Sequence, residues 1–311
     1  MIVILPFRKL ELTDREWLAP ILEALPYRMC DHSFSTLYIW QYKYSGRIAV
    51  EDDVIYLVYG YETDHPMYFA PICDDTKLAD AVSRIEADAA ERNVPFCMGA
   101  VNDLLKTKLE AVCPDRFDYT EDRDNADYIY DAESLRTYAG KKLHSKRNFT
   151  NRFEAEFEGR YTVEPVSKDN LKEIMAFNHG RCLATREEKG ISLTVENCGM
   201  HEEACAISTA LIYREPLHIK GVCLKLDGKV VAYALGTKLN ADTWLEQIEK
   251  ADPSVPGAYP MITRAFARMC TEDARYINRE EDMGIEGLRK AKLSFNPECI
   301  NLRYTVTAKE E

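Results

Sequence analysis

The pair Asp227-Gly228 constrains the fold of this 311-residue chain more than any other two neighbouring residues. Asp-Gly suits the tight turn whose central residues take positive φ, and that turn matches the twist of paired strands. Hydrophobic residues alternate on both sides of it, so residues 221–226 and 230–239 are expected to form a hairpin, with 243–248 as a third consecutive strand. A loop bearing Pro253, Pro256 and Gly257 follows, then a helix over 258–273 with Pro260 tolerated in its first turn. Residues 276–278 read as a strand, the stretch after them as a helix, and 300–306 as the closing strand. Three strands, a helix, a strand, a helix and a strand describe an α/β (α+β) module.

The first half has a similar, shorter order. Thr13 and Glu16 form a capping-box pattern before the apolar face of Trp17, Leu18, Ile21 and Leu22. Residues 54–61 and 67–71 read as neighbouring strands, 76–92 as a helix, 94–98 as a strand and 102–112 as a helix. The acidic stretch 121–127 reads as a surface loop before a last short strand. This places one module at 1–133 and a second, carrying the candidate site, at 134–311. The chain is long enough for each to bury its own core.

Composition removes several classes. Hydrophobic residues make up 46% and charged residues 30%, as in an ordinary globular protein. With 40 basic against 52 acidic residues the net charge is −12, which argues against a DNA-binding or general polyanion-binding protein but leaves room for a local basic patch. No apolar run approaches the ~20 residues needed to span a bilayer. The opening MIVILPF, followed by Arg8 and Lys9, is too short for a signal peptide and lacks a basic leader, so a cytoplasmic location is expected. The 10 cysteines lie between Cys30 and Cys299 with no CxxC pair, the pattern of reduced thiols. His179 and Cys182, Cys198 and His201, Cys205 and His218 have spacings that suit zinc, but they fall on segments read as helices, where such spacing marks one face. No metal centre and no permanently bound cofactor are expected.

Three stretches can carry chemistry. Residues 134–158 read as one long helix or two in series broken near Gly140, with Lys141, Ser145, Asn148 and Arg152 on one side, Lys142, Lys146 and Arg147 nearby, and Phe149, Phe153 and Phe157 on the packed side. Such a basic surface within an acidic chain can meet an anionic ligand. Pro256, Gly257 and Tyr259 sit at a helix N-terminus, where unpaired amides bind phosphate, and Gly257 would let a ligand approach the backbone. No Walker pattern or G-x-G-x-x-G is present, which disfavours an ATPase or a dinucleotide oxidoreductase. Glu246 and Glu249, three apart on a strand, point to opposite faces, so at most one serves a given cleft as a general base.

The third stretch, residues 276–297, reads YINREEDMGIEGLRKAKLSFNP. Its helix would carry Gly284, Gly287 and Ala291 as a small-residue stripe permitting close approach. Two readings stand: a well-packed strand, solvated charged turn and helix, or a ligand site at the carboxyl end of a strand. In the second, Asn278, Arg279, Glu280 and Lys290 face the ligand, Arg279 and Lys290 as anion contacts, while Glu281 faces water.

The order of the KRN helix, WLEQIEKAD, PGAY and YINREEDMGIEGLRKAKLSF resembles a bacterial family related to the C-terminal domain of phosphatidylglycerol lysyltransferases. The resemblance spans nearly the whole chain. It implies tandem GNAT-like modules, each a mixed central sheet flanked by helices, like the Fem-type aminoacyltransferases. It further implies acyl or aminoacyl transfer to an amine or hydroxyl, with acyl-CoA or aminoacyl-tRNA as donor and tRNA as a partner. Glu246 or Glu280 would then be the base, while Arg279, Lys146 and Arg147 would hold donor phosphate or the developing oxyanion. The alternative is a non-catalytic module that binds a phosphate-bearing ligand.

Overall fold

A computed structural model describes residues 4–188 and 199–309. Its strands are β1 (Arg47–Glu51), β2 (Val54–Tyr59), β3 (Met67–Phe69), β4 (Cys97–Val101), β5 (Phe117–Glu121), β6 (Asp127–Asp131) and β7 (Tyr161–Pro165). They continue with β8 (Lys220–Leu226), β9 (Lys229–Lys238), β10 (Thr243–Ala251), β11 (Tyr276–Asn278), β12 (Cys299–Asn301) and β13 (Tyr304–Ala308). Among the described residues they form two mixed sheets, ordered β1-β2-β3-β4-β13-β5 and β12-β6-β11-β10-β9-β8-β7.

The contacts divide the chain differently from the expected boundary at 133/134. One unit comprises Met1–Asp14, Trp40–Ala126 and Asn301–Glu311, the other Arg15–Ile39 and Asp127–Ile300. Strand pairing explains the exchange. The short strand after the acidic stretch, β6, pairs antiparallel with β11 in the second sheet. The expected closing strand is two strands: β12 joins the second sheet, and β13 pairs with β4 and β5 of the first. Chain order alone cannot show which sheet a terminal strand joins.

In the first unit, β2 and β3 pair as the hydrophobic runs suggest, Val58 opposite Tyr68. The helix Leu78–Glu91 buries Leu78, Ala81, Val82, Ile85 and Ala89. Asp88 on the same helix is also buried, where it accepts from Tyr68 Oη at 2.7 Å and from the Leu5 amide at 2.7 Å. Those bonds offset the cost of removing its carboxylate from water.

In the second unit the Asp227-Gly228 hairpin forms as expected, with Leu226 opposite Lys229. Asp227 and Gly228 both take positive φ, 50° and 75°. The helix Ala258–Met269 packs on β8, β9 and β10, burying Met261, Ile262, Ala265 and Phe266. The basic segment is two helices, Ala132–Thr137 and His144–Glu156, broken around Gly140. Phe153 and Phe157 are buried, but Phe149 is 48% exposed, so only two of the three phenylalanines expected on the packed side lie there.

The glycine stripe does not form. Gly284 lies in the turn at φ +68°, the last helix spans Glu286–Leu293, and a Cβ at Gly287 would meet nothing within 4 Å. Close approach occurs at Gly236 instead, where a Cβ would stand 2.0 Å from the Leu245 carbonyl oxygen and 2.6 Å from Phe266 Cζ. Gly236→Ala is therefore expected to cost about 3 kcal/mol, the upper end for overpacking, because backbone must move. Gly287→Ala should be neutral or stabilising by up to about 1 kcal/mol. Urea unfolding midpoints of the two variants check both values.

Candidate functional site

A break in strand register builds the site. β9 and β10 pair Gly236 with Glu246 and Leu235 with Ile248, which leaves Gln247 as an extra residue. Such a bulge resets the alternation of faces. Glu246 and Glu249, expected on opposite faces, consequently reach the same partner. Arg279 Nε lies 2.7 Å from Glu246 Oε2, and Arg279 Nη2 lies 2.6 Å from Glu249 Oε2. Gln247 anchors the bulge by donating to Thr36 Oγ1 at 2.8 Å and to Ser35 Oγ at 3.1 Å.

Arg279 follows β11, whose parallel pairing with β10 covers only Thr243–Leu245 against Tyr276–Asn278. β10 runs on to Ala251, so the two strands part company where the three charged groups meet. Thr263 Oγ1 donates to Glu249 Oε2 at 2.9 Å. The guanidinium lies 4.6 Å from the Phe295 ring and 5.6 Å from that of Tyr130. Lys146 Nζ lies 3.9 Å from the same Phe295 ring.

Burial sharpens these charges. The side chains of Glu246, Glu249 and Arg279 are 1%, 12% and 10% exposed. Burial works against the charge on Arg279, but Glu249 and Glu246 more than offset it and hold the guanidinium charged. Burial pushes the Glu246 carboxyl well above its ordinary range, against the pull of Arg279, because one guanidinium serves two carboxylates. Glu246 Oε2 is at ion-pair distance but outside hydrogen-bond geometry, and Arg279 Nη1 is buried without a hydrogen-bond partner among the described residues. Burial, then the nearby Arg279, bring the Lys146 ammonium down to about 8.

The turn after Arg279 is only partly the solvated feature that one reading expected. Asp282 is buried, pairs with Arg289 at 2.8 Å, and accepts from Tyr128 Oη at 2.5 Å and from the Gly284 amide at 3.0 Å. Glu280 takes φ +57°, its amide donates to Asn278 Oδ1 at 2.7 Å, and burial pushes its carboxyl up, beside Glu281. Asn278 is buried and donates to the Arg28 carbonyl at 2.6 Å. Glu281, expected to face water, is half-buried.

Other expected contacts are spent or lie elsewhere. Arg147 donates to the Tyr138 carbonyl at 2.7 Å, and Asn148 Nδ2 lies 3.3 Å from His144 Nδ1. Pro256 and Tyr259 are exposed. Gly257 does take φ +87°, yet a Cβ there would stand 2.9 Å from the Phe149 carbonyl, so the helix His144–Glu156 uses the close approach expected for a ligand. Lys290 is exposed, whereas Lys292 bonds the Arg279 carbonyl. The spacing of Arg289, Lys292 and buried Phe295 on one helical side was the available signal for choosing Lys292. Thr263, Tyr130 and Phe295 carried no such signal, since tertiary packing alone brings them here. Of the zinc-spaced residues, the side chains of Cys182, Cys198 and His201 lie outside the described residues, His179 is exposed, and His218 Nδ1 lies 2.7 Å from Arg15 Nη2.

Comparison with known proteins accords with this architecture. The family model described as phosphatidylglycerol lysyltransferase, C-terminal, matches residues 22–307. The chain belongs to this family. A conserved protein of unknown function from Bacteroides thetaiotaomicron superposes with a TM-score of 0.89 at 36% identity, covering 98% of this chain and 100% of that one. The C-terminal domain of a putative lysylphosphatidylglycerol synthetase from Agrobacterium fabrum has a TM-score of 0.66 at 14% identity, over 96% and 92% of the two chains. At that identity the likeness shows the fold alone. An uncharacterized protein of Mycoplasmoides gallisepticum is 23% identical over 272 residues, 84% of this chain and 82% of its own length. The two mixed sheets flanked by helices agree with the mixed α/β architecture expected from the sequence. Among the described residues no helix is long and apolar enough to cross a membrane.

Asp282 gives the site a pH signature. Burial alone would raise its carboxyl, but the bonds from Arg289, Tyr128 and Gly284 hold it far below the usual range. A depressed pKa contributes stability above the unfolded value of about 3.9 and loses it as pH falls toward the folded value. Asp282→Ala should cost on the order of 2–3 kcal/mol at pH 7, discounted for the partly exposed Arg289. The gap from wild type should narrow progressively below about pH 4, as read by denaturant melts across pH.

Proposed function

We propose that the second unit transfers an aminoacyl group from a charged tRNA to an amine or hydroxyl. The observation that carries this reading is the buried Arg279 Nη1, a donor without a hydrogen-bond partner among the described residues, held where β10 and β11 part. Buried donors left unpaired are uncommon, and one fixed in place by two carboxylates is prepared for charge that develops on a substrate. The acceptor's lone pair attacks the ester carbonyl, and Arg279 stabilises the oxyanion as the carbonyl π-bond opens. Lys146 as a free amine takes the acceptor's proton and returns it to the ribose oxygen that leaves as the ester bond breaks. With a pKa of about 8 it is better matched to exchange near neutral pH than Glu246 or Glu280, the bases expected from sequence. Glu246 and Glu249 then position Arg279.

Two observations favour tRNA over CoA as donor. The Gly257 approach, where a pyrophosphate would need to come close, is taken by the Phe149 backbone. Exposed Lys141, Lys142 and Arg152 give a local basic surface for a polyanion on a chain of net charge −12. The family, the C-terminal part of phosphatidylglycerol lysyltransferases, agrees with aminoacyl chemistry.

Aminoacyl-tRNA pools offered with hydroxylamine as surrogate acceptor test this directly. Chain-dependent hydroxamate formation is expected, with Lys146→Met slower by tenfold or more, about 1.4 kcal/mol of barrier. The wild-type rate should rise with pH and level off above about 8, as Lys146 loses its proton. Transfer from acetyl-CoA with none from any aminoacyl-tRNA would replace the donor. No transfer from either, with a thermal shift on adding a phosphate compound, would replace the enzyme by a binding module.

A further inference from the structure

Beside the Arg279 cluster lies a second group of buried ligands that the transfer chemistry does not use. Cys30 comes from the turn Cys30–His32, Asp127 opens β6, and Glu281 follows β11. One ligand atom of each lies within 4.8 Å of the other two, with Cys30 and Asp127 buried and Glu281 half-buried. Cys30 Sγ stands 3.7 Å from Glu281 Oε2. For a tetrahedral ion with metal–sulfur near 2.3 Å and metal–oxygen near 2.0 Å, that separation would be about 3.5 Å.

Glu280 supplies an independent observation. Its Oε1 is shut off from water and has no hydrogen-bond partner among the described residues, and the charges acting on it include Glu281, Asp127 and Asp31 as well as Lys292. A buried carboxyl facing other carboxylates needs a cation or a proton. Lys292 is the nearby ammonium, already bonded to the Arg279 carbonyl. Arg279 itself is committed to Glu246 and Glu249.

We propose that Cys30, Asp127 and Glu281 bind a divalent transition-metal ion, next to the buried Glu280 carboxyl. One thiolate with carboxylates suits zinc, a borderline-soft ion, better than magnesium or calcium, which take oxygen alone. The ion would tie the turn Cys30–His32 to β6 and to the turn after β11, all within the second unit. The site stands whether or not the transfer reading holds.

Titration of the metal-stripped full-length chain with cobalt(II), a spectroscopic stand-in for zinc, tests it. One equivalent should bind and give a thiolate-to-cobalt charge-transfer band in the near ultraviolet, which zinc then abolishes. Cys30→Ser should remove the band while every other cysteine remains. Glu281→Gln, a substitution at a half-buried position, should weaken binding at least tenfold and keeps the test valid if Cys30→Ser fails to fold. No cobalt uptake by the wild-type chain would overturn the proposal. A band that survives Cys30→Ser, or an unchanged affinity in Glu281→Gln, would also overturn it.

Discussion

One buried guanidinium shared by two carboxylates organises the second unit. Taking three charges out of water costs several kcal/mol per ion, and only close geometry returns it. Here the geometry comes from backbone. The bulge at Gln247 turns Glu246 and Glu249 to one side, Gly236 leaves space for the chain to bend, and β11 ends in time to present Arg279. Such a cluster stabilises less than a well-packed apolar one would. What it provides is a donor with fixed direction, backed by Phe295 and Tyr130, at the point where two parallel strands separate.

Much of the frame was legible in sequence. The Asp227-Gly228 turn, the three strands around it, the helix after Gly257 and the break near Gly140 are all local signals, and local physics decides them. Glu246 and Arg279 were also singled out, from their places near the ends of strands in an α/β order. The failures share a different origin. Strict alternation assigned Glu246 and Glu249 to opposite faces because a bulge leaves no mark in residue type. The expected boundary at 133/134 failed because β6 and β13 each pair with a sheet far away in sequence. Gly284 and Gly287 suggested close approach, but one serves a turn and the other faces open space.

The charged stretch after β11 shows how context decides between bland and functional readings of the same residues. Within Arg279–Asp282 every side chain is at least partly withdrawn from water, and each has a different neighbour: Arg279 the two glutamates, Glu280 the carboxylates of Glu281 and Asp127, Glu281 the thiol of Cys30, Asp282 the guanidinium of Arg289. A run of charges that sequence composition would assign to a solvated turn is thus tied into the unit through four different sets of neighbours. Its positive φ values at Glu280, Met283 and Gly284 allow the chain to aim successive side chains in such different directions.

The central claim is that the bulge brings both glutamates to one arginine. Two double-mutant cycles measure it, pairing Arg279→Met first with Glu246→Gln and then with Glu249→Gln, each read as unfolding free energy. The account predicts coupling in both cycles, of order 0.5–3 kcal/mol, larger for Glu249 than for the readily protonated Glu246. Coupling at only one of the two would contradict it, because that is the result of an unbroken strand with its carboxylates on opposite faces.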